Sequence, residues 1–440
     1  MILVILGIII LLYGFINYKK AFMLYLAYQI FWYGSAALIK LGGRTLQIQL
    51  ALTVGFFCLF LFKNKKLARP NKKVPYRIPM IMTCLSCFAT CFTSLDGFIS
   101  EAIVSLSATI SMNVILIWLI WYSIETKEDF RYLFRLITVV MIAACLFGLF
   151  EYLTNSNIIL DYKNAYSSNA IGNYNSSAYN FARRGYRIYS FFEHPIGAGM
   201  TFGLYSAFTL ILIIKNKEKL PLHRLALLTA LLCLPCVFLT KMRSAMIFTF
   251  IACLACIDFK KKKFYGIILL VVIVIVAAWP YINQYSYILL SLFDSSMESS
   301  AGGSSLSMRL EQVVAVINIW KLSPIAGLGY NFEEYLSESI TSGGLGYESV
   351  WFLQTARYGL IGIIATIVDI VYSVIIIPRK FHSREIFFIS LAYWITYTVT
   401  SIPSFRISLY YLALFYFIKS SEKYKNSHET IHLKSFKLRI

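Results

Sequence analysis

What this chain can fold into is limited first by its long runs of apolar residues. They lie near 2–17, 22–39, 46–62, 78–94, 102–122, 136–153, 195–214, 225–240, 244–258, 264–280, 350–377, 386–402 and 408–418. About 20 apolar residues in a helix span a bilayer. Hydrocarbon offers the backbone no water, so such a segment must satisfy its own hydrogen bonds. Charged residues make up only 14% of the 440 positions and hydrophobic residues 58%, where a soluble domain carries about 25% charged residues. The expected fold is all-α: one polytopic transmembrane helical bundle over residues 1–440, with about 12–14 helices. The first run has neither a basic start nor a small-residue cleavage site, so it reads as a membrane helix and not as a cleaved leader.

The formal net charge is +20. Its distribution orients the bundle, because Lys and Arg collect on the cytoplasmic side. Residues 63–77 hold Lys63, Lys65, Lys66, Arg69, Lys72, Lys73 and Arg77, and 260–263 is a run of lysines. Lys215, Lys217, Lys219 and Arg224 share a short loop, and Arg379, Lys380 and Arg384 share another. A basic tail follows at 419–440. Threading the helices between these points puts all of them in the cytoplasm. It puts two large loops, 154–193 and 281–349, and the N-terminus outside, with Lys40 and Arg44 against the rule. The larger loop then lies between the tenth and eleventh predicted helices. The positive excess points to anionic membrane lipids as a partner, and not to nucleic acid.

The loop at 281–349 reverses the charge balance of the chain: Asp294, Glu298, Glu311, Glu333, Glu334, Glu338 and Glu348 stand against Arg309 and Lys321. Within it, 307–322 reads as an amphipathic helix, with Leu310, Val313, Val314, Ile317 and Trp320 at helical spacing. Pro324, Gly327 and Gly329 end that helix. Ser- and Gly-rich stretches flank it at 294–305 and 342–346. A lid over substrate and a helix lying on the bilayer surface both fit this pattern. The other outer loop is rich in Asn and Tyr, which suit sugar hydroxyls and sugar faces but equally suit turns and the membrane interface.

Chemistry is sought where polar residues break the outer-face pattern. The segment 187–195 brings Arg187, Glu193 and His194 together, just after Arg183 and Arg184. The tight turn at 240–244 carries Lys241 and Arg243, against the expectation for an outer turn. Arg309 rides the loop helix and Glu348 precedes the run at 350–377. Arginine forms bidentate, charge-assisted bonds to phosphate and does not deprotonate. Three arginine sites on one face would suit a diphosphate, although each would also suit a lipid headgroup or an acidic loop residue. No metal motif and no nucleotide fingerprint is legible, so the cationic role falls to arginine and no cofactor is called for. The nine cysteines all sit in apolar runs and read as small packing residues. Arg357 and Asp369 are intramembrane charges, which default to function or to pairing.

These segments, in order, resemble the O-antigen polymerase/ligase family of bacterial envelope glycosyltransferases. Arg187 to Ile196 looks like its R-x-x-[GS]-x-F-x-H-P-N signature, with Ile196 in place of Asn. Thr240 to Ser244 is similar to its T-x-S-R-[GS] turn, with Met242 in place of Ser. Arg309, Trp320 and Pro324 to Gly329 look like R…W…P-x-x-G-x-G, and Gly359 to Gly362 like its G-L-I-G helix. Where the ligase branch carries a histidine, eleven residues before that helix glycine, this chain carries Glu348. The departure favours the polymerase branch. The resemblance implies a GT-C-like bundle in the bacterial cytoplasmic (inner) membrane. It implies transfer of a glycan from undecaprenyl diphosphate to a lipid-linked repeat unit, giving O-antigen, capsule or exopolysaccharide, beside a flippase and a chain-length regulator. Arg243 and Arg309 would hold diphosphates and Glu348 would activate the acceptor hydroxyl, with His194 as an alternative base. Arg187, Arg184, His194 and Arg357 would bind substrate. A ligase is the nearest rival and a lipid-linked oligosaccharide flippase the next.

Overall fold

The computed structural model describes residues 2–31, 37–41, 44–63, 73–93, 99–166, 185–257, 306–329, 349–400 and 405–421. Helices α1 (Ile2–Ile16), α2 (Tyr18–Phe31), α3 (Ile48–Lys63) and α4 (Arg77–Thr90) come first. Next, α5 (Ile99–Thr109) runs through a π turn into α6 (Leu116–Ser123), followed by α7 (Lys127–Thr154) and α8 (Ile158–Tyr166). Then come α9 (Pro195–Leu210), α10 (His223–Leu239), α11 (Arg243–Cys253), α12 (Leu306–Leu322) and α13 (Val350–Ile370). The last are α14 (Ile377–Phe381), α15 (Arg384–Val399) and α16 (Ile407–Ser420). One antiparallel hairpin, β1 (Ala37–Leu41) and β2 (Arg44–Gln47), interrupts the helices. It adds to the all-helical expectation. Two short runs around Gly42 and Gly43 carry a hairpin signal, masked by the apolar run that begins at 22.

Four helices among the described residues are long and apolar enough to cross a membrane: Ala102–Ser123, Lys127–Thr154, Pro195–Lys215 and Val350–Phe381. Shorter apolar helices pack beside them, among them Ile48–Lys63, His223–Leu239 and Ile407–Ser420. The run at 264–280, most of the loop at 281–349 and the tail beyond 421 lie outside the described residues. The expected loop position and helix total fall there as well. At ~1.5 Å per residue α7 is ~42 Å long, longer than the ~30 Å hydrocarbon core, so its ends reach the interfaces.

The packing is that of a protein with an apolar exterior. Ile9, Leu12, Leu153, Phe238, Phe250 and Ile364 are exposed, while Thr138, Thr201, Ser206, Thr249, Ser390 and Thr396 are buried. The buried hydroxyls are satisfied within the bundle. Thr138, Thr201, Thr249 and Thr396 donate to the carbonyl one turn back, at 2.7–2.8 Å, the usual escape for Ser and Thr in a helix without water. Between helices, Tyr205 donates to Thr138 at 3.0 Å and Ser206 to the Ala230 carbonyl at 2.8 Å. Gly199 and Gly203 let α9 and α11 approach closely. A Cβ on Gly203 would lie 2.1 Å from Thr249 Oγ1, and one on Gly199 2.5 Å from Ala245 Cβ. Small residues spaced by four are how helices meet in lipid.

Several basic residues gather at one end of the bundle. Lys19 pairs with Asp129 at 3.0 Å and Lys215 with Glu385 at 2.6 Å. Lys63 donates to the Phe15 carbonyl, and Lys419 to the carbonyls of Trp121 and Ile124. Arg384 reaches the Ile257 carbonyl at 3.4 Å. Helix α7 starts at this end, with a capping box formed by Thr126 and Asp129, and therefore delivers Glu151 to the opposite end.

The glycine motifs act as a joint. Helix α13 breaks at Gly359 (φ 58°, ψ −148°), a conformation suited only to glycine. The segment that leaves α12 fits into the break, backbone to backbone. Leu328 N donates to Ala356 O at 3.0 Å and Gly329 N to Arg357 O at 2.9 Å. In return, Leu360 N donates to Pro324 O at 2.9 Å and Ile361 N to Ile325 O at 3.1 Å. Trp320 Nε1 also bonds the Pro324 carbonyl, at 2.9 Å. A Cβ on Gly359 would sit 2.6 Å from Gly327 N, and one on Gly327 2.3 Å from Arg357 C. The Gly359→Ala variant is expected to lose at least about 3 kcal/mol of stability, from the strained backbone and the lost fit together. Thermal unfolding in detergent reads this, and a midpoint equal to the wild type would refute the joint.

Candidate active site

At the end of the bundle opposite Lys19 and Lys419, the chain re-enters α9 through residues 185–194. Glu151, on the last turn of α7, is fully buried and organises this segment. Its carboxylate accepts from Tyr189 N at 3.0 Å, Ser190 N at 2.6 Å and the Tyr186 hydroxyl at 3.2 Å. Ser190 takes a left-handed conformation (φ 54°) and donates its hydroxyl to Ala144 O at 2.7 Å. Just before α8, Asn157 Nδ2 donates to Ser190 O at 3.0 Å, and from α8 the Lys163 amine donates to Phe191 O. The strand-like run is sealed on its other side by Ile188 N, which donates to Leu239 O at 3.2 Å.

That last bond brings two of the expected sites together. Arg187 is only 3% exposed, and its Nη1 lies 3.9 Å from Met242 Sδ in the turn between α10 and α11. In the same turn Lys241 is buried in a left-handed conformation (φ 53°), its ammonium 5.9 Å from the Tyr152 ring centre. Burial, reinforced by the Arg187 charge, pulls the Lys241 pKa down. Arg243 opens α11, whose first turn has no side-chain cap. Cations beside a helix N-terminus give a positive local field, which favours negative charge there.

His194 plays a structural part. It is the N-cap of α9, its Nδ1 accepting from Ile196 N at 3.0 Å. Burial, with the Arg187 charge adding to it, lowers its pKa to about 4. A neutral ring locked into a cap is a weak base, so this geometry favours a role in fixing the start of α9 over that of the alternative base. Arg357 stands apart from this cluster. It lines a slot in the membrane domain, together with Asp369. The backbone of the expected loop helix is helical over Leu306–Leu322, but the Arg309 side chain, Glu348 and Arg184 lie outside the described residues. The neighbour of Glu348, Ser349, caps α13 and donates to Thr398 O at 2.6 Å.

Sequence reading missed Glu151, Lys163 and Arg406. Arg406 is 1% exposed, its guanidinium 4.8 Å from the Phe192 ring centre. It approaches the re-entrant segment just before α16 begins. In sequence, Glu151 and Arg406 are charges at the edges of apolar runs, and Lys163 is one polar residue among many in the loop 154–193. Burial pushes the Lys163 pKa down to about 7, with the Arg406 charge adding to the fall and Glu193 opposing it. Between about pH 7 and 10.5 the unfolded chain holds a proton on this amine that the native chain lacks. Lys163 therefore makes stability rise with pH across that window, by up to ~1.4 kcal/mol per pH unit. The melting midpoint of the wild type, relative to Lys163→Met, should climb from pH 7 to pH 9.5. A difference that does not change with pH would refute the assignment.

Residues 228–367 match the family model described as O-antigen ligase. The matched stretch holds the cationic turn before α11, the helix α12 and the glycine joint in α13. No curated protein and no solved structure matches the chain. Residues 228–367 are thus similar to an O-antigen ligase family domain, which is consistent with an O-antigen polymerase/ligase family.

Proposed function

We propose that this protein is a polysaccharide polymerase of the bacterial cytoplasmic membrane. On the outer face it transfers a glycan from undecaprenyl diphosphate to the sugar hydroxyl of another lipid-linked repeat unit. The observation that carries this reading is the contact between the Arg187 segment and the turn holding Lys241, Met242 and Arg243, at the uncapped start of α11. As the new glycosidic bond forms, the bond from the anomeric carbon to the diphosphate oxygen breaks, and negative charge builds on the leaving diphosphate. Fixed cations and helix N–H groups aimed at that charge stabilise the transition state more than the ground state. Arg243 and Arg309 are assigned to the diphosphates and Arg187 to support of the turn. Glu348 is assigned to the proton of the acceptor hydroxyl, a role that contributes about 10²–10⁴-fold in rate.

The ligase reading is favoured by the description of the matched family. The polymerase reading is favoured by Glu348, which stands where the ligase branch carries histidine. Deleting the gene and resolving surface glycan on a gel separates the two. A polymerase deletion keeps a single repeat unit and loses the length ladder. A ligase deletion loses surface glycan altogether and leaves polymer on the lipid carrier. Arg243→Ala and Arg309→Ala should each abolish the ladder at unchanged protein abundance, and wild-type ladders from both would refute the arginine assignment.

A further inference from the structure

A second concave site lies within the membrane domain. It is a slot of about 270 Å³ between α4, α13, α15 and α16, with a wall from the π turn before α6. The groups it gathers are unusual for such a place. Arg357 and Asp369 both line it, with Gln354, Asn113, Trp394 and Tyr397. Tyr397 lies within electrostatic reach of both Arg357 and Asp369. One Asp369 oxygen accepts from the Ser373 hydroxyl at 2.9 Å. Trp394 is 7% exposed, and its Nε1 meets no acceptor among the described residues. Polar groups at this depth are costly unless they are hydrogen-bonded.

The chemistry of the lining selects its ligand. A lipid tail would leave the Gln354 and Asn113 amides and the Trp394 indole without hydrogen bonds, which costs about 1–3 kcal/mol for each group. With Arg357 and Asp369 both lining it, the slot offers a phosphate no net positive charge. A sugar ring is uncharged, offers donors and acceptors around its edge, and presents C–H faces to aromatic rings. Trp394 stands 5.2 Å from Tyr393 and 5.8 Å from Tyr397 between ring centres, so an aromatic wall faces the polar groups. The volume of about 270 Å³ is about nine waters' worth, at ~30 Å³ each, which is room for one such ring.

The position fits too. The slot includes Val350 and Leu353, in the first turn of α13. Contacts around residues 405–407 connect it to α11 and to the re-entrant segment. Ile407 lines the slot, Phe405 packs between Tyr393 (5.3 Å) and Phe248 of α11 (6.3 Å), and Arg406 covers Phe192.

We infer that this slot receives a sugar ring of the lipid-linked glycan, next to the place where the diphosphate is held. The inference rests on the transferase reading above. Its test uses the full-length protein in nanodiscs and two probes. One is undecaprenyl diphosphate without sugar. The other is undecaprenyl diphosphate carrying the cell's own repeat unit, extracted from a strain that lacks this protein. Trp394→Phe removes one N–H and keeps a ring, and Tyr397→Phe removes one hydroxyl. Each variant should bind the sugar-bearing lipid about tenfold more weakly and the bare carrier as the wild type does. Equal affinity of wild type and both variants for the sugar-bearing lipid would overturn the slot and leave the transferase reading standing. A parallel loss for both lipids would also overturn it. If the wild type does not bind bare undecaprenyl diphosphate, the transferase reading falls, and this inference falls with it.

Discussion

The buried carboxylate of Glu151 is the interaction on which the active end depends. A carboxylate taken out of water is stable only when its lone pairs are filled, and here two backbone N–H groups and a tyrosine hydroxyl fill them. Those bonds fix the path of the Tyr186–Ser190 backbone. That path in turn places Arg187 against Met242 and His194 at the head of α9. The segment that meets the cationic turn is thus shaped by a buried acid of the protein itself, on the last turn of α7. Without that internal acceptor the segment would need water, and the end of a membrane bundle supplies little. Lys163 of α8 and Asn157 just before it bind the same segment, and Leu239 of α10 accepts from Ile188 N, so its shape is set by three separate helices.

Much of this architecture was legible in the sequence. The apolar runs at 136–153, 195–214 and 350–377 correspond to α7, α9 and α13, because spanning hydrocarbon leaves the backbone little choice but helix. The order of the arginine motifs was legible as well, but not the contact between Arg187 and the turn at Met242, which is a product of tertiary packing. Glu151 was invisible because a single acid at the end of an apolar run reads as an interfacial residue. Arg406 was missed because nothing local ties it to Phe192. For α12 the spacing of Leu310, Val314 and Ile317 marks a face that is exposed, while Val316 and Ile319 pack against Ala356 and Leu328. In a chain that meets lipid, an apolar stripe does not say whether it faces protein or hydrocarbon, so periodicity alone could not choose.

The two intramembrane charges of α13 also change meaning. Along one helix Arg357 and Asp369 are too far apart to pair, and in sequence they look like isolated anomalies. In the fold they line one slot. The break at Gly359 falls between them, and helix geometry on either side of a break is not continuous. The distance between two charges on a broken helix is set by the joint, and not by counting residues.

That joint has a consequence for how such a protein can diversify. Four hydrogen bonds run between backbone atoms on both partners, and the closest fit asks that Gly327 and Gly359 stay without a Cβ. The end of α12 is therefore fastened to α13 by contacts that are blind to almost every substitution around them. Residues 330–347, which follow the fastening and precede Glu348, can lengthen, shorten or change composition without releasing α12 from its anchor. Selection for new sugars could then act on that segment alone, while the part of the loop that carries Arg309 keeps its mooring in the membrane.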